Sequence, residues 1–216
     1  SKAFSYTFTD KGQVSEVKDP ENGFVQYTYD DEGLVSTRID AYGRVTTYAY
    51  DTPCASSAIG ERRSRGNLTR VTVTPDPRGP NGSSPLLVSC TDYEGYSNQP
   101  VKVVDSRGTV TLISRNEVGL PLAITQAAGT PDASTVQTSY NDHGQPVRTI
   151  NPRGNVTQYL YNAFGYPAGM VVDPTGLSLL TRYETDQRGN VIAMVDPRGV
   201  SFTRAYNSLD WIVESR

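Results

Sequence analysis

The residues best suited to chemistry are few in this sequence. His143 is the only histidine, and it lies in the turn-like stretch "NDHG" (141–144). A histidine that acts as a general base needs an orienting partner and a nucleophile within hydrogen-bond reach. The chain has no Gly-x-Ser-x-Gly, no His-Glu-x-x-His and no glycine-rich phosphate loop to supply them. We therefore expect His143 to be an exposed turn residue and the chain not to be an enzyme.

Two charged clusters could in principle hold an ion. Asp30, Asp31 and Glu32 are consecutive carboxylates, but they lack the spacing of a twelve-residue calcium loop, so solvated turn residues are expected. The basic run "ERRSR" (61–65) is one short segment on a chain of formal net charge −3. It leaves an anionic partner as a minor alternative, since nucleic-acid binding usually needs a broad basic surface. We expect no metal, no cofactor and no nucleic-acid partner.

The two cysteines, Cys54 and Cys90, are 36 residues apart, with no further Cys or His at metal-ligand spacing. Two free thiols are expected, and a disulfide between the segments that carry them is the alternative.

The composition favours a thin hydrophobic layer over a deep core. Of 216 residues 36% are hydrophobic, and the chain has 19 Gly and 14 Pro. Nowhere do 18 apolar residues run together, and the stretch "SKAFSYTFTDKGQ" at the start has no apolar signal-peptide core. We expect no membrane span and no visible signal peptide in this chain.

A repeat of Asp/Asn-x-x-Gly turns runs along the whole sequence. Gly12 and Gly33 are 21 residues apart, and Asp210 stands where a ninth turn glycine would fall. Longer steps coincide with insertions near 52–65, 75–85 and 126–135. The spacing predicts that residues 1–216 form a single repeat array of about nine units.

A second turn lies halfway along each repeat, as in "DAYG" (40–43), "NPRG" (151–154), "DPTG" (173–176) and "DPRG" (196–199). Asp or Asn bonds the backbone ahead, Pro presets φ, and Gly accepts a positive φ. Such a type I turn followed by a left-handed glycine closes a short β-hairpin with a bulge.

The segments between the turns are predicted to be β-strands. They hold six or seven residues, such as "RVTTYAY" (44–50), rich in Val, Thr and Tyr and alternating at period two. The predicted fold is all-β, a repetitive antiparallel β-hairpin meander with two strands and two turns in each repeat. Because sheets of many twisted strands rarely stay flat, we expect it to curl into a band or partial shell.

Tyrosines mark one end of each repeat. Ten of the fourteen lie on the strand just before an Asx turn, and Tyr48 and Tyr50 share one face of a strand. Successive repeats could therefore build a tyrosine ladder of cross-strand aromatic pairs. The residues predicted to define the repeat are Tyr29, Asp30, Gly33, Asp40, Gly43, Tyr48, Tyr50, Tyr140, Gly144, Gly154, Tyr159, Tyr161, Gly165, Asp173, Gly176, Gly189, Asp196 and Gly199.

Tyr-Asp-x-x-Gly, a short strand, Asp-Pro-x-Gly and then Tyr-x-Tyr-Asp resemble the YD repeat of the Rhs family. That family includes bacterial Rhs polymorphic toxins, the B and C components of insecticidal toxin complexes, and teneurins. The resemblance covers residues 4–210 and departs at Thr91, Arg115 and Thr185, which replace the expected Tyr.

The resemblance implies a β-ribbon that spirals into a hollow shell around a toxin, in a secreted or surface-delivered bacterial protein of the type VI or polymorphic-toxin kind. The expected partners are the remainder of a longer Rhs-type polypeptide or its toxin cargo. The family's self-cleavage element has an Asp-Pro-x-Gly-Leu sequence, and "DPTGL" (173–177) matches it. Because this stretch stands in register as a mid-repeat turn, we expect a structural turn there.

Two functions follow from the sequence. The first is a non-catalytic shell segment that encloses or scaffolds a toxin domain. The alternative is a carbohydrate- or receptor-binding adhesion module, since Tyr159 and Tyr161 could stack on sugar rings. Unpaired strand edges also predict self-association.

Overall fold

A computed structural model describes residues 3–21, 23–52, 66–74, 86–95 and 98–216 of the chain. These residues form eighteen β-strands, and no helix occurs among them. The insertions expected near 52–65 and 75–85 lie almost entirely outside this range. The third, near 126–135, forms the connection between two strands, where Ala127 and Gly129 have positive φ.

The first nine strands are β1 (Ser5–Phe8), β2 (Val14–Lys18), β3 (Phe24–Tyr29), β4 (Val35–Ile39), β5 (Val45–Tyr50), β6 (Leu68–Thr74), β7 (Leu87–Tyr93), β8 (Pro100–Val104) and β9 (Val110–Arg115). The other nine are β10 (Pro121–Gln126), β11 (Ser134–Tyr140), β12 (Pro146–Ile150), β13 (Val156–Tyr161), β14 (Pro167–Val172), β15 (Leu179–Thr185), β16 (Val191–Val195), β17 (Ser201–Tyr206) and β18 (Ile212–Ser215).

The chain divides into two compact bodies. The N-terminal body comprises Ser1–Ile113, Glu117–Gly119 and Gln126–Ala133, and the C-terminal body comprises the rest. In the N-terminal body each strand from β1 to β9 pairs antiparallel with the next along the chain. In the C-terminal body the same holds from β11 to β18. The predicted all-β hairpin meander is confirmed.

Burial in the sheet is shallow. Most strand residues are half-buried, and exposure alternates along strands such as β10, as period-two side chains require. Thr69 is the largest fully buried side chain among the described residues, and its hydroxyl donates to the Ala49 carbonyl at 3.0 Å. The low apolar content of the sequence thus corresponds to a thin layer rather than a deep core.

One turn geometry recurs throughout both bodies. In the turn at 151–155, Asn151 N–H donates to the Asn155 carbonyl (3.0 Å) and Gly154 N–H donates to the Asn151 carbonyl (2.9 Å). Asn151 Oδ1 accepts hydrogen bonds from Arg153 N–H and Asn155 N–H at 2.9 and 3.0 Å. Gly154 has φ +83°. The same pair of side-chain bonds is made by Asp19, Asp40, Asp105, Asn141, Asn162, Asp186, Asp196 and Asn207.

Two residues other than glycine adopt the left-handed conformation where a repeat needs it. Asp210 has φ 60° at the position predicted for a ninth turn glycine, and Asn98 has φ 58° in the turn before β8. Asn and Asp tolerate this region better than other residues because their short side chains bond the local backbone.

The turn at 173–178 departs from the predicted geometry. Its left-handed residues are Asp173 (φ 52°) and Ser178 (φ 49°), so the expectation that Gly176 would take a positive φ is wrong. Ser178 N–H closes the turn on the Asp173 carbonyl at 2.8 Å. Gly176 has another constraint, because a Cβ there would overlap with the Asp173 carboxylate and that side chain would have to shift.

Cys90, on β7, is disulfide-bonded, so the expectation of free thiols is wrong. Cys54 lies outside the described residues.

The turn geometry generates a direct test at Asn151. Replacing Asn151 with Ala removes the acceptor of two backbone N–H groups, so the free energy of unfolding should fall by roughly 0.5–1.5 kcal/mol in urea titrations. Asn155→Ala is the matched control, because Asn155 contributes its backbone N–H to this turn. Equal losses for the two variants would contradict the assigned role of Asn151.

Candidate functional site

The two kinds of turn lie at opposite edges of each sheet. We call the turns that follow a tyrosine strand Tyr-end turns, and those halfway along a repeat mid-unit turns. Because each repeat has two antiparallel strands, successive Tyr-end turns lie on the same side, here called the Tyr-end edge. The strand pairing shifts by one residue just before Tyr29, Tyr50, Tyr140 and Tyr161, whereas the mid-unit hairpin at Ile39↔Val45 keeps its register.

At the Tyr-end edge, tyrosine hydroxyls donate hydrogen bonds to backbone carbonyls of the preceding strand. Tyr29, the last residue of β3, donates its hydroxyl to the carbonyl of Val14, the first residue of β2, at 2.7 Å. This bond closes the open end of the β2–β3 hairpin, opposite its mid-unit turn. The same hydroxyl-to-carbonyl bond, at 2.9–3.1 Å, joins Tyr50 to Val35, Tyr93 to Leu68, Tyr140 to Pro121, Tyr161 to Pro146 and Tyr206 to Val191.

A second contact joins consecutive Tyr-end turns. In several repeats the residue just after the turn glycine, here called the post-glycine residue, reaches the glycine position of the following Tyr-end turn. Gln13 Nε2 donates to the Gly33 carbonyl at 2.9 Å, and Gln145 Nε2 donates to the Gly165 carbonyl at 2.7 Å. Asn190 Nδ2 likewise donates to Asp210 Oδ1 at 2.7 Å.

Where the post-glycine residue is apolar or aromatic, it covers the next glycine by packing. A Cβ added to Gly66 would lie 3.1 Å from Leu34, and one added to Gly189 would lie 2.7 Å from the Tyr166 ring. These glycines therefore serve both a positive φ and a close approach. Sequence reasoning missed this position because its residue type varies between Gln, Leu, Asn and Tyr; its constant place after each turn glycine was the available signal.

The predicted tyrosine ladder is not formed by direct pairs. Tyr48 lies opposite Val71, Tyr159 opposite Met170, and Tyr161 opposite Pro167. The strands that carry these tyrosines alternate with strands that carry none, and hydroxyls such as that of Tyr161 bond the backbone instead. Burial raises the pKa of Tyr161 above the ordinary value of 10.0, and the neighbouring Tyr159 adds to the shift.

The predicted aspartates and glycines lie in the turns. Asp30 accepts Leu34 N–H at 2.8 Å in a Tyr-end turn, and Asp40 accepts Tyr42 N–H and Arg44 N–H in a mid-unit turn. The Val200 backbone N–H bonded to Asp196 lowers the pKa of that carboxyl, with Arg198 contributing further. The predicted turn glycines with positive φ are Gly33, Gly43, Gly144, Gly154, Gly165, Gly189 and Gly199.

Candidate ligands for a metal do not converge in the part of the chain that the structure describes. No group of three or more His, Cys, Asp or Glu side chains there is arranged to hold an ion. The side chains of Asp30 and Asn141 serve their own turns, and His143 is exposed. Across the same residues, no helix has the length and apolarity needed to cross a bilayer.

A shallow cleft lies on the Tyr-end edge of the C-terminal body. It has a volume of about 410 Å³ and is lined by Asn162, Phe164, Tyr166, Thr185, Asp186 and Gln187. Phe164 is 83% exposed beside these polar groups. An exposed aromatic face next to hydrogen-bonding side chains can bind an amphipathic ring.

The RHS Repeat family model matches residues 8–45 and 140–178. The chain thus carries RHS repeats, and the sequence-based assignment to the Rhs/YD-repeat family is confirmed. No curated protein sequence matches the chain.

Solved structures of toxin complexes have a similar fold. The TcdB2–TccC3 complex aligns with a TM-score of 0.61 at 16% identity, over 99% of this chain and 12% of that chain. The complex of TcdB2–TccC3 with Cdc42 aligns with a TM-score of 0.56 at 13% identity, over 98% and 14%. The Photorhabdus luminescens Tc holotoxin pore gives 0.55 at 13% identity, over 98% and 13%. The chain therefore spans about an eighth of the length of these proteins.

The tyrosine bond can be tested at Tyr161. Tyr161→Phe leaves the Pro146 carbonyl without its hydroxyl donor, so the free energy of unfolding should fall by about 1 kcal/mol at pH 8. The raised pKa of Tyr161 adds a pH dependence. Its stabilising contribution is complete below the unfolded value of about 10 and is lost as pH rises through the higher folded pKa.

Urea unfolding of wild type and Tyr161→Phe between pH 8 and pH 11 measures both effects. The stability difference between the two proteins should shrink as the pH rises. Tyr183→Phe is the control. Tyr183 lies opposite Met194 on β15, two residues before the end of that strand, whereas Tyr161 is the last residue of β13. A pH-independent difference, or an equal loss for both variants, would contradict the assigned role.

The packing of Tyr166 on Gly189 can be separated from the demand for a positive φ. Gly154→Ala meets open space among the described residues at φ +83°, and should cost about 1–2 kcal/mol for the left-handed backbone alone. Gly189→Ala also displaces the Tyr166 ring and should cost roughly 1 kcal/mol more. A Tyr166→Ala background should abolish this excess; an excess that persists there would exclude the proposed contact.

Proposed function

We propose that the chain is a non-catalytic YD-repeat shell segment of an Rhs-type secreted toxin or effector. Its role is to enclose or scaffold a toxin domain of the longer polypeptide. The observation that carries the proposal is the structural alignment, in which 98–99% of the chain fits 12–14% of toxin-complex proteins. The expected partners are the remainder of such a polypeptide and its cargo.

The thin, repetitive sheet supports the proposed role as part of a shell wall. The layer is thin, its strands are short, and the repeats bring their own turn bonds, to which six repeats add a tyrosine hydroxyl bond. A wall built in this way can be extended repeat by repeat, because each new hairpin uses the preceding one as its template. The function then resides in enclosure and surface, and no side chain has to react.

The sequence encoded on either side of the chain tests the shell role most economically. We expect further YD repeats on at least one side and an effector domain in the same gene. Limited proteolysis of the full-length product should leave that effector intact until the repeats are cut or unfolded. An effector that is cleaved as readily as when it is expressed alone would contradict enclosure.

The absence of catalysis is tested on the chain itself. Purified protein should show no nuclease, glycosidase or protease turnover above a buffer control, and incubation should leave the 173–177 peptide bonds uncut. Turnover that co-purifies with the folded chain and is lost on unfolding would overturn the non-catalytic proposal.

A second candidate, carbohydrate binding by an adhesion module, is favoured by the cleft beside Phe164. Tyr159 and Tyr161 were the predicted stacking residues, but the Tyr161 hydroxyl is bonded to the Pro146 carbonyl and both rings are half-buried. Phe164 instead presents an open ring next to Asn162 and Gln187. It is therefore the better platform for a sugar.

A glycan array separates the two candidates. Adhesion predicts saturable binding of a defined glycan that is lost in Phe164→Ala. The control Phe202→Ala, an exposed aromatic outside this cleft, should keep that binding. No binding by the wild-type chain, or binding equally reduced in both variants, would exclude the carbohydrate site.

A further inference from the structure

The N-terminal body contains a covalent cross-link in addition to its hydrogen bonds. Cys90, on β7, is disulfide-bonded, and the sequence has one other cysteine, Cys54. Within a single chain Cys54 is therefore the partner of Cys90. The bond closes a loop of the chain from residue 54 to residue 90, here called the disulfide loop, which contains the whole of β6.

The chain just before Cys54 is anchored to the sheet by Asp51. The Asp51 N–H donates to the Asn67 carbonyl at 2.9 Å. The Asp51 carboxylate accepts hydrogen bonds from Gly66 N–H at 2.8 Å and Asn67 N–H at 3.0 Å. These bonds close the base of the insertion near 52–65. Cys54 thus follows a fixed point of the sheet by three residues.

Cys90 lies within reach of this fixed point. It is opposite Arg70 on β6, whereas Asp51 is bonded to Asn67, just before that strand. An offset of three residues along β6 and two strand spacings across it separates the two Cα atoms by about 14 Å. Three extended residues span at most about 10 Å. A disulfide joins Cα atoms about 5.5–6 Å apart. A bond to Cys54 therefore ties β7 to the end of β5, across β6.

The cross-link lies where the connections between strands are longest. Most neighbouring strands are joined by five residues, whereas the β5–β6 and β6–β7 connections contain the insertions near 52–65 and 75–85. A longer connection costs more chain entropy when its ends are brought together. A disulfide offsets that cost by restricting the unfolded chain. Breaking the bond should therefore weaken the pairing of β6 more than the pairing of strands outside the disulfide loop.

The surroundings of Cys90 favour reduction of the bond. Arg70 is directly opposite Cys90, and side chains in such pairs have Cβ atoms about 4.5–5.5 Å apart. Asp92 follows on the same face and has Lys102 opposite it on β8. Cys90 is half-buried, so a small reductant can approach it. A neighbouring cation stabilises a thiolate, and a more stable thiolate leaves a disulfide faster.

We propose that the Cys54–Cys90 disulfide is a redox-sensitive cross-link that holds β5, β6 and β7 together under oxidising conditions and loosens β6 when it is reduced. The reductant is a dithiol. One of its thiolates attacks the Cys54 sulfur, and Cys90 leaves as a thiolate that takes up a proton. The second thiolate of the reductant then displaces Cys54. Two electrons and two protons pass to the cysteines, and the dithiol becomes a disulfide.

The compartment that holds the protein would then set the strength of this part of the sheet. Disulfides persist outside cells and are reduced in the cytosol. A shell that is assembled under oxidising conditions and then enters a cytosol would lose the cross-link there. This consequence rests on the proposed shell role, whereas the cross-link itself is a property of the chain and needs no cargo.

Peptide mapping of the non-reduced protein tests the pairing. The denatured chain should have no free thiol, and digestion of the monomer should yield one pair of peptides that joins Cys54 to Cys90. Two free thiols, or a peptide that joins Cys90 of one copy to Cys90 of another, would overturn the proposal.

Hydrogen exchange of the folded chain, with and without dithiothreitol, tests the loosening. The protected amides of β6 should exchange roughly 100-fold faster after reduction, as expected when a disulfide that closes a loop of this size is lost. The amides of β13, in the C-terminal body, should be unchanged. Because no cargo is present, the result is independent of whether the shell encloses a toxin.

Substitutions provide the matched controls. The double variant Cys54→Ser/Cys90→Ser should exchange like the reduced wild type and should not respond to dithiothreitol. Arg70→Gln should slow the reduction several-fold, whereas Arg38→Gln, on β4 and outside the disulfide loop, should leave the rate unchanged. Equal protection of β6 in the oxidised and reduced wild type, or a disulfide that the folded chain keeps in excess dithiothreitol, would overturn the proposal.

Discussion

The whole architecture depends on one local constraint, an Asp or Asn oxygen that accepts two backbone N–H groups of its own turn. Asn162, for example, bonds Phe164 N–H and Tyr166 N–H at 3.0 Å each. With a left-handed residue at the fourth turn position, these bonds reverse the chain within five residues and satisfy backbone groups that the strands leave unpaired. Most hairpins in the two bodies follow from placing this turn again and again, whereas β14 and β15 are joined by the different turn at 173–178.

The Tyr-end edge of the sheet differs from the edge with the mid-unit turns because of one added feature, the register shift before the last tyrosine of a strand. A one-residue shift in pairing before Tyr161 brings the ring to the strand end, where its hydroxyl reaches the Pro146 carbonyl. The residue after the turn glycine completes the edge by contacting the following turn, as Gln145 does at Gly165. In the mid-unit turn at 151–155 the Asn151 side-chain bonds stay within the turn. A sheet whose turns contact one another along one edge can add hairpin repeats without a deep hydrophobic core.

The sequence predicted the hairpins, which depend on residues within one turn. It did not predict the features that depend on contacts between strands or between turns. Asx, Pro and Gly positions predicted the hairpins, since each turn is encoded within five residues. The predicted tyrosine ladder failed because the tyrosines lie on alternate strands; β14 carries none, so Tyr159 lies opposite Met170. The post-glycine contacts escaped notice because Gln, Leu, Tyr and Asn can all make them. Gly176 was misread because its constraint is the nearby Asp173 carboxylate and not its own φ.

Native-state hydrogen exchange, resolved at single amides, tests the central claim most directly. Phe164 and Tyr166 N–H are bonded to Asn162 in a Tyr-end turn, and Arg153 and Asn155 N–H are bonded to Asn151 in a mid-unit turn. The local bonds are alike, so only the contacts between repeats distinguish the two sites. The account predicts slower exchange at Phe164 and Tyr166. Equal protection at both turns, or faster exchange at the Tyr-end turn, would contradict it.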